Sequence, residues 1–186
     1  MVGDMQIPWN QDKVIQAYRF AAEALNHKKV PGTDLPYIAH VSLVTMEVMA
    51  ALQAELELEG DFTIQCALVH DVIEDSQVTF EEIKAKFGKK VAQGVLALSK
   101  NRQLPKSQQM KDSLDRIQKQ PREVWIVKMA DRITNLQPPP QEWTRKQIKD
   151  YRIEALGIYE ALKAASVYMA NRLLKKIKDY EKFVHI

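Results

Sequence analysis

The amino-acid sequence predicts an all-α protein built as one domain. Apolar residues recur with the 3.6-residue period of amphipathic helices along most of the 186 residues. The chain has only six glycines, and no set of segments alternates polar and apolar residues as the strands of a sheet would. A chain of this length can bury a sizeable core, so we expect residues 1–186 to form a single helical bundle.

The first half of the chain divides into helices separated by polar joints. Asp12 can cap a helix over residues 12–26. The segment HKKVPGTDLP ends this helix, because two prolines and a glycine do not continue it. Two apolar helices follow at 40–58, ended by Gly60, and at 62–73. The apolar face of the first helix is formed by Val14, Ala17, Tyr18, Ala21 and Leu25.

Capping signals and prolines define the helices of the second half. Thr79, followed three residues later by Glu82, forms a capping box, so TFEEIKAKFG is a short helix that Gly88 ends. Pro121 begins a later helix, which the triple proline 138–140 must end. Besides that helix at 121–137, helices are predicted at 90–99, 109–119, 142–163 and 166–182.

Composition excludes several classes of partner. The net charge of +3 is too small to indicate nucleic acid, and no block of lysine and arginine is long enough to form a binding arm. No segment has the apolar length of a membrane span, and the first residues, MVGDMQIPWN, lack the apolar core of a signal peptide. The lone cysteine, Cys66, cannot form a disulfide framework and is expected to be a small buried residue. We therefore expect a cytoplasmic protein.

Ionisable residues occur within the apolar helices, where burial is costly unless they pair or bind a metal. His40 and the pair His70–Asp71 stand in apolar segments, and Asp131 lies in the apolar word VKMADRITNL. The alternative for Asp131 is an ion pair with Arg132 or another cation. Two imidazoles and two carboxylates suit Mn²⁺, Fe²⁺, Co²⁺ or Zn²⁺. Adjacent helical residues point about 100° apart, so His70 and Asp71 would share an ion only through a distorted or end-on approach.

The pattern H…HD…D in apolar helices resembles the HD-domain metal-dependent phosphohydrolases. Four words are similar to the hydrolase domain of the RelA/SpoT family, and to its small stand-alone alarmone hydrolases above all: LPYIAH, ALVHDVIEDS, TFEEIKAKFGKKVAQGV and VKMADRITNL. The resemblance covers roughly residues 12–137, while the last two helices, at about 142–182, carry no motif of the family. It implies a helical enzyme that binds Mn²⁺ and removes the 3′-pyrophosphate from guanosine 3′,5′-bis(diphosphate).

The resemblance also assigns the residues of the site. Glu74 and Asp75 match the catalytic acidic pair, which positions and deprotonates a metal-bound water. Helical spacing agrees, since Glu74 and Asp75 stand one turn after His70 and Asp71. The alternative is that Glu74 and Asp75 form a solvated helix end. The residues that match the family's metal ligands are His40, His70, Asp71 and Asp131.

Candidate substrate contacts surround these motifs. Asn135 matches a family residue that contacts the nucleotide. Lys128 and Arg132 flank Asp131, and helical spacing is expected to leave at least one of the two in solvent. The candidate cations for the substrate's phosphates are Lys28, Lys29, Lys128, Arg132 and Arg102.

The loop before His40 departs from the family pattern, because NHKKVPGTDLPYIAH lacks its Gly-Gln and shifts its basic pair. The ligands and the acidic pair are intact, so the departures concern the substrate. Three functions are open: a nucleotide 3′-pyrophosphohydrolase acting on (p)ppGpp-type alarmones, an HD phosphohydrolase for another nucleotide or a phosphomonoester, and a catalytically weak regulatory module that binds metal and nucleotide. The intact Glu74–Asp75 pair favours an enzyme, with a small nucleotide as its partner.

Overall fold

Helices form the regular secondary structure of residues 7–184, the part of the chain that the computed structural model describes. Within that range the β structure is limited to one isolated bridge between Lys29 and Pro36, in the loop before His40. The prediction of an all-α protein is therefore confirmed. The helices are α1 (Gln11–Ala24), α2 (Ile38–Ala54), α3 (Gly60–Val69), α4 (Val72–Asp75), α5 (Phe80–Phe87), α6 (Lys89–Leu98), α7 (Lys106–Ile117), α8 (Arg122–Asn135), α9 (Arg145–Leu162) and α10 (Val167–Tyr180).

Several predicted boundaries follow the local chemistry of the chain. Thr79 and Glu82 form the predicted capping box at the start of α5, and Gly88, with a φ of 87°, ends this helix. Pro121 precedes α8, which ends at Asn135 before the triple proline. At each of these positions the residue type meets a specific local requirement: Thr79 and Glu82 cap a helix with their side chains, Gly88 adopts a positive φ, and proline cannot continue a helix. For that reason the sequence predicted these boundaries well.

Two predicted boundary residues and one predicted position on an apolar face are wrong. Asn10, and not Asp12, caps α1, because its side chain accepts hydrogen bonds from the backbone N–H groups of Asp12 and Lys13. Tyr18 is 42% exposed and does not belong to the buried face of α1. Gly60 begins α3 and does not end α2. A side chain at Gly60 would overlap the carbonyl oxygen of Pro8, so the close approach of the N-terminal segment requires glycine.

Helix α3 lies in the centre of the protein and positions the site. Nine of its ten residues are buried, including Cys66, as predicted. Helices α1, α2, α6 and α8 pack around α3, and α9 and α10 cover the far side of α8. This arrangement brings together the start of α2, the end of α3 and the C-terminal part of α8. In residues 7–184, no helix has both the length and the apolar character needed to cross a bilayer.

Candidate active site

The chain breaks its helix at the histidine–aspartate pair. Helix α3 ends at Val69 and α4 begins at Val72, and Asp71 departs from helical geometry with φ −99° and ψ −1°. The predicted continuous helix over 62–73 is therefore wrong. The break removes the 100° separation of a regular helix and brings His70 Nε2 to 3.0 Å from Asp71 Oδ2. This is the distorted approach that a shared ion requires of two adjacent residues.

Two imidazoles meet the carboxylates from different helices. His40 Nε2, from α2, lies 3.4 Å from Asp131 Oδ1 in α8 and 3.8 Å from Asp71 Oδ2. The potential ligand atoms of His40, His70 and Asp131 all lie within 4.8 Å of one another. The Nε2 atoms of both histidines are buried and have no hydrogen-bonding partner. Buried nitrogens without partners that converge on carboxylate oxygens fit a divalent transition-metal ion.

Hydrogen bonds outside the cluster orient its members. His70 Nδ1 lies 2.8 Å from the carbonyl oxygen of Ala67, which leaves Nε2 directed at the cluster. The hydroxyl of Tyr37 donates to Asp71 Oδ2 at 2.6 Å. Burial and the charge of Asp71 raise the pKa of Tyr37, so this hydroxyl keeps its proton and remains a donor.

Without a metal, the cluster is held by opposite charges. Burial lowers the pKa of His70, but the negative charge of Asp71, 3.0 Å away, outweighs that effect and raises the pKa to about 9. Burial favours a higher pKa for Asp71, yet the positive charge of His70 holds that pKa well below its usual range. The pKa of Asp131 is likewise held low, against burial, by the charge of Lys128 and by contact with His40. The site therefore stabilises anionic carboxylates.

Asp131 pairs with Lys128 and not with its neighbour Arg132. Lys128 Nζ lies 2.9 Å from Asp131 Oδ2, and Asn135 Nδ2 donates to Asp131 Oδ1 at 2.6 Å. Arg132 pairs instead with Glu154 of α9. Lys128 and Arg132 are 6% and 4% exposed, so the expectation that one of them lies in solvent is wrong. Helix α9 causes this difference, because it covers the side of α8 that carries Arg132.

The acidic pair lies on α4, beside the cluster. Glu74 accepts a hydrogen bond from the backbone N–H of Lys100 at 2.9 Å. Asp75 accepts hydrogen bonds from Lys28 Nζ and, at 3.2 Å, from Arg102 Nη2. The side chains of Glu74 and Asp75 are only 15% and 16% exposed, so the pair is held by cations from two loops and is not a freely solvated helix end.

Most of these groups line a cavity of about 220 Å³, while His40 and Arg102 do not. Its candidate residues are His70, Asp71, Glu74, Asp75, Asp131, Asn135, Lys28, Lys128 and Arg132. Lys29 does not line it, because the Lys29 side chain is 63% exposed and its Nζ lies 2.6 Å from Asp34. A larger open cavity of about 470 Å³, beside Phe62 and Lys90, lies elsewhere and contains none of the candidate ligands. The smaller cavity is therefore the candidate active site.

The cavity also contains residues that sequence reasoning missed: Tyr37, Lys100, Tyr151 and Glu154. Tyr37 lies inside the segment LPYIAH, so the family resemblance could have indicated it as a site residue. Tyr151 and Glu154 come from α9, which carries no motif. The Arg132 guanidinium lies 4.3 Å from the centre of the Tyr151 ring, and these two residues form a wall of the cavity with Glu154. Only the folded chain reveals this wall.

The fold and the site define a class: an all-α protein with a buried cluster of nitrogen and oxygen atoms that could hold a metal ion, beside an acidic pair. Residues 17–167 match the profile of the HD domain, and the chain belongs to the HD-domain family. Members of this family are metal-dependent hydrolases, so a divalent ion is implied, and the His40–His70–Asp131 cluster fits one.

Named relatives cover most of the chain. It is 29% identical to the guanosine-3′,5′-bis(diphosphate) 3′-pyrophosphohydrolase of Danio rerio, over 86% of this chain and 89% of the relative. It is 33% identical to the protein of the same name from Aquifex aeolicus, over 83% of this chain but 22% of that longer relative. A solved structure, described as a metazoan ortholog of SpoT that hydrolyzes ppGpp, shares the fold with a TM-score of 0.78 at 22% identity, over 90% of this chain and 94% of the other.

Proposed function

We propose that this protein is a metal-dependent nucleotide 3′-pyrophosphohydrolase that acts on (p)ppGpp-type alarmones. The observation that carries the proposal is the pair of buried, unpartnered Nε2 atoms of His40 and His70, which face two carboxylates beside Glu74 and Asp75. Relatives that bear this activity in their names align with most of the chain. In our proposal residues 1–186 act as one domain in the cytoplasm.

Four side chains would hold the ion, and Mn²⁺ is the ion we propose. Two imidazoles and two carboxylates form a donor set that suits a divalent first-row metal. Such an ion, when bound, lowers the pKa of water and draws charge from phosphoryl oxygens. The proposed ligands are His40, His70, Asp71 and Asp131.

Glu74 and Asp75 are the proposed proton acceptors. The attacking water forms a bond to the phosphorus next to the 3′-oxygen, and the bond between that phosphorus and the 3′-oxygen breaks. One proton of the water passes to the acidic pair, and the 3′-oxygen takes up a proton. The products are pyrophosphate and the nucleoside 5′-diphosphate. The pair can act in this way because its carboxylates line the cavity.

Cations of the cavity are the proposed partners of the substrate's phosphates. Lys28, at the cavity rim, can exchange Asp75 for a phosphate oxygen, since both are anionic acceptors. Asn135 lies next to Asp131, at the same end of α8, and is a proposed contact of the nucleoside. Arg132 is proposed to act from the wall that it forms with Tyr151. Lys29 is not part of the proposed substrate site, because it pairs with Asp34 outside the cavity.

A panel of nucleotides tests the proposal. Protein loaded with Mn²⁺ is incubated with guanosine and adenosine 3′,5′-bis(diphosphates), with nucleoside 5′-triphosphates and with a phosphomonoester, and the products are identified by mass. We expect release of pyrophosphate from both bis(diphosphates) at similar kcat/KM, because the altered loop before His40 weakens recognition of the base. Triphosphates should be poor substrates. Hydrolysis of the phosphomonoester alone would refute the proposal and leave another HD phosphohydrolase activity, and absence of any hydrolysis would indicate a regulatory module.

A further inference from the structure

Lys128 is a buried cation in contact with a proposed metal ligand. It is 6% exposed, its Nζ lies 2.9 Å from Asp131 Oδ2, and it lines the active-site cavity. A positive charge at this position opposes the binding of a divalent ion. Asp131 has a second restraint, because Asn135 Nδ2 donates to its other oxygen at 2.6 Å. Asn135 can therefore orient Asp131 without Lys128, so orienting this carboxylate does not explain the buried charge of Lys128.

The other cations of the cavity are committed elsewhere. Lys28 pairs with Asp75, and Arg132 pairs with Glu154. Lys100 has a side chain that is 42% exposed and lies 3.9 Å from Glu74. Among the cations that line the cavity, Lys128 is the one that contacts a proposed ligand of the metal. A phosphoryl group that reacts beside the ion would therefore lie close to Lys128.

We propose that Lys128 is a catalytic residue that contacts the phosphoryl group undergoing hydrolysis, and that its charge weakens metal binding. This inference rests on the proposed function. When the substrate is bound, the Lys128 ammonium donates to an oxygen of the reacting phosphoryl group in place of Asp131 Oδ2. Negative charge on that group is redistributed in the transition state, where a fixed and desolvated cation is most effective. The same charge raises the free energy of the metal-loaded site before the substrate arrives.

Two variants separate the charge of Lys128 from its hydrogen bond. Lys128→Gln keeps a donor but removes the charge, while Lys128→Arg keeps both. We expect metal-free Lys128→Gln to bind Mn²⁺ at least about tenfold more tightly than the wild type in calorimetric titrations without substrate. With saturating Mn²⁺, its kcat on the guanosine bis(diphosphate) should fall at least about 100-fold, with KM within about threefold. Lys128→Arg should retain wild-type Mn²⁺ affinity and most of the kcat.

Lys175→Gln is the matched control, since Lys175 forms an exposed helical ion pair with Asp179 at 2.8 Å, outside the cavity. It should change neither measurement. Far-UV circular dichroism with Mn²⁺ checks the fold, and Lys128→Met serves if Lys128→Gln does not fold. Weaker or unchanged Mn²⁺ binding, or an unchanged kcat, would overturn the inference. A wild type that cleaves no nucleotide would refute the proposed function, and the Mn²⁺ titration would still decide the effect of the Lys128 charge.

Discussion

Asp71 connects three parts of the proposed metal site. It lies 3.0 Å from His70 Nε2 and 3.8 Å from His40 Nε2, and it accepts a hydrogen bond from Tyr37. We predict that protein purified without chelator contains about one equivalent of divalent metal, and that Asp71→Ala loses it, because a charged ligand is removed. Elemental analysis measures this. Asp34→Ala removes an exposed carboxylate outside the cavity and should retain the metal. Full metal content in Asp71→Ala would contradict the proposed metal site.

Glu74 and Asp75 are predicted to act on the proton of water and not on the metal. Glu74→Gln and Asp75→Asn are nearly isosteric and remove a base, so both should retain the metal and lose about 10²–10⁴-fold in kcat. Assays with the true substrate, paired with elemental analysis, measure this. Glu81→Gln is the control, because Glu81 is 72% exposed on α5. Parental rates in both variants would reduce the acidic pair to a structural role.

Lys28 and Lys29 are adjacent in sequence but differ in surroundings. Lys28 lies over the Tyr37 ring, 3.9 Å from its centre, and lines the cavity, whereas Lys29 pairs with the exposed Asp34. We predict that Lys28→Ala raises KM by about tenfold with a smaller change in kcat, since a rim cation binds ground and transition states alike. Lys29→Ala should match the wild type, and the double variant should match Lys28→Ala. An equal effect of both lysines in steady-state kinetics would contradict this assignment.

Among the helices, the break between α3 and α4 is a feature that the sequence pattern does not predict. The apolar period continues through His70 and Asp71, so a helix over 62–73 was a reasonable expectation. A change in the backbone torsions of Asp71 leaves no trace in the pattern of residue types. Family resemblance supplied the candidate ligands, while the geometry that lets neighbours share one ion came only from the structure.

The wall formed by α9 was missed for a different reason. Arg132 meets Glu154 across 22 positions of sequence, and such a contact depends on how α9 crosses α8. Local periodicity predicts that both residues lie on helices, but it does not predict the angle or position at which α9 crosses α8. Capping residues such as Thr79 and Gly88 were predicted because their partners lie within one turn. Contacts within a turn are thus readable from sequence, and contacts between helices are not.

Gly60 and Gly157 are predicted to respond oppositely to alanine. A Cβ at Gly60 would overlap the carbonyl oxygen of Pro8, so Gly60→Ala must displace the N-terminal segment from α3. We expect a loss of about 1–3 kcal/mol in the free energy of unfolding. Gly157 lies within α9 and nothing lies within 4 Å of its added Cβ, so Gly157→Ala should gain about 0.5–1 kcal/mol. Urea denaturation measures both. A neutral Gly60→Ala would contradict the close packing.

At the scale of the whole protein, the ionisable groups of the site make the free energy of unfolding depend on pH and on bound metal. The folded pKa of His70 is raised to about 9, from an ordinary value near 6.5. Its contribution to stability is therefore complete below pH 6.5 and is lost as the pH rises through 9. The pKa values of Asp71 and Asp131 are lowered, so their contributions are lost only in acid. Between pH 6.5 and 8.5, the proton of His70 therefore makes stability fall as the pH rises.

We predict that the metal-free protein loses about 1–2 kcal/mol of stability between pH 6.5 and 8.5, seen as a fall of about 3–8 °C in Tm. Saturating Mn²⁺ should reverse this trend, because the metal takes the neutral imidazole and competes with its proton. The difference in Tm between the Mn²⁺-saturated and metal-free protein should therefore widen as pH rises. Asp71→Asn is the control: it removes the charge that raises the pKa of His70, so the metal-free slope should flatten. Thermal denaturation at several pH values measures these slopes. Equal slopes in Asp71→Asn and in the wild type would contradict the coupling of His70 to Asp71.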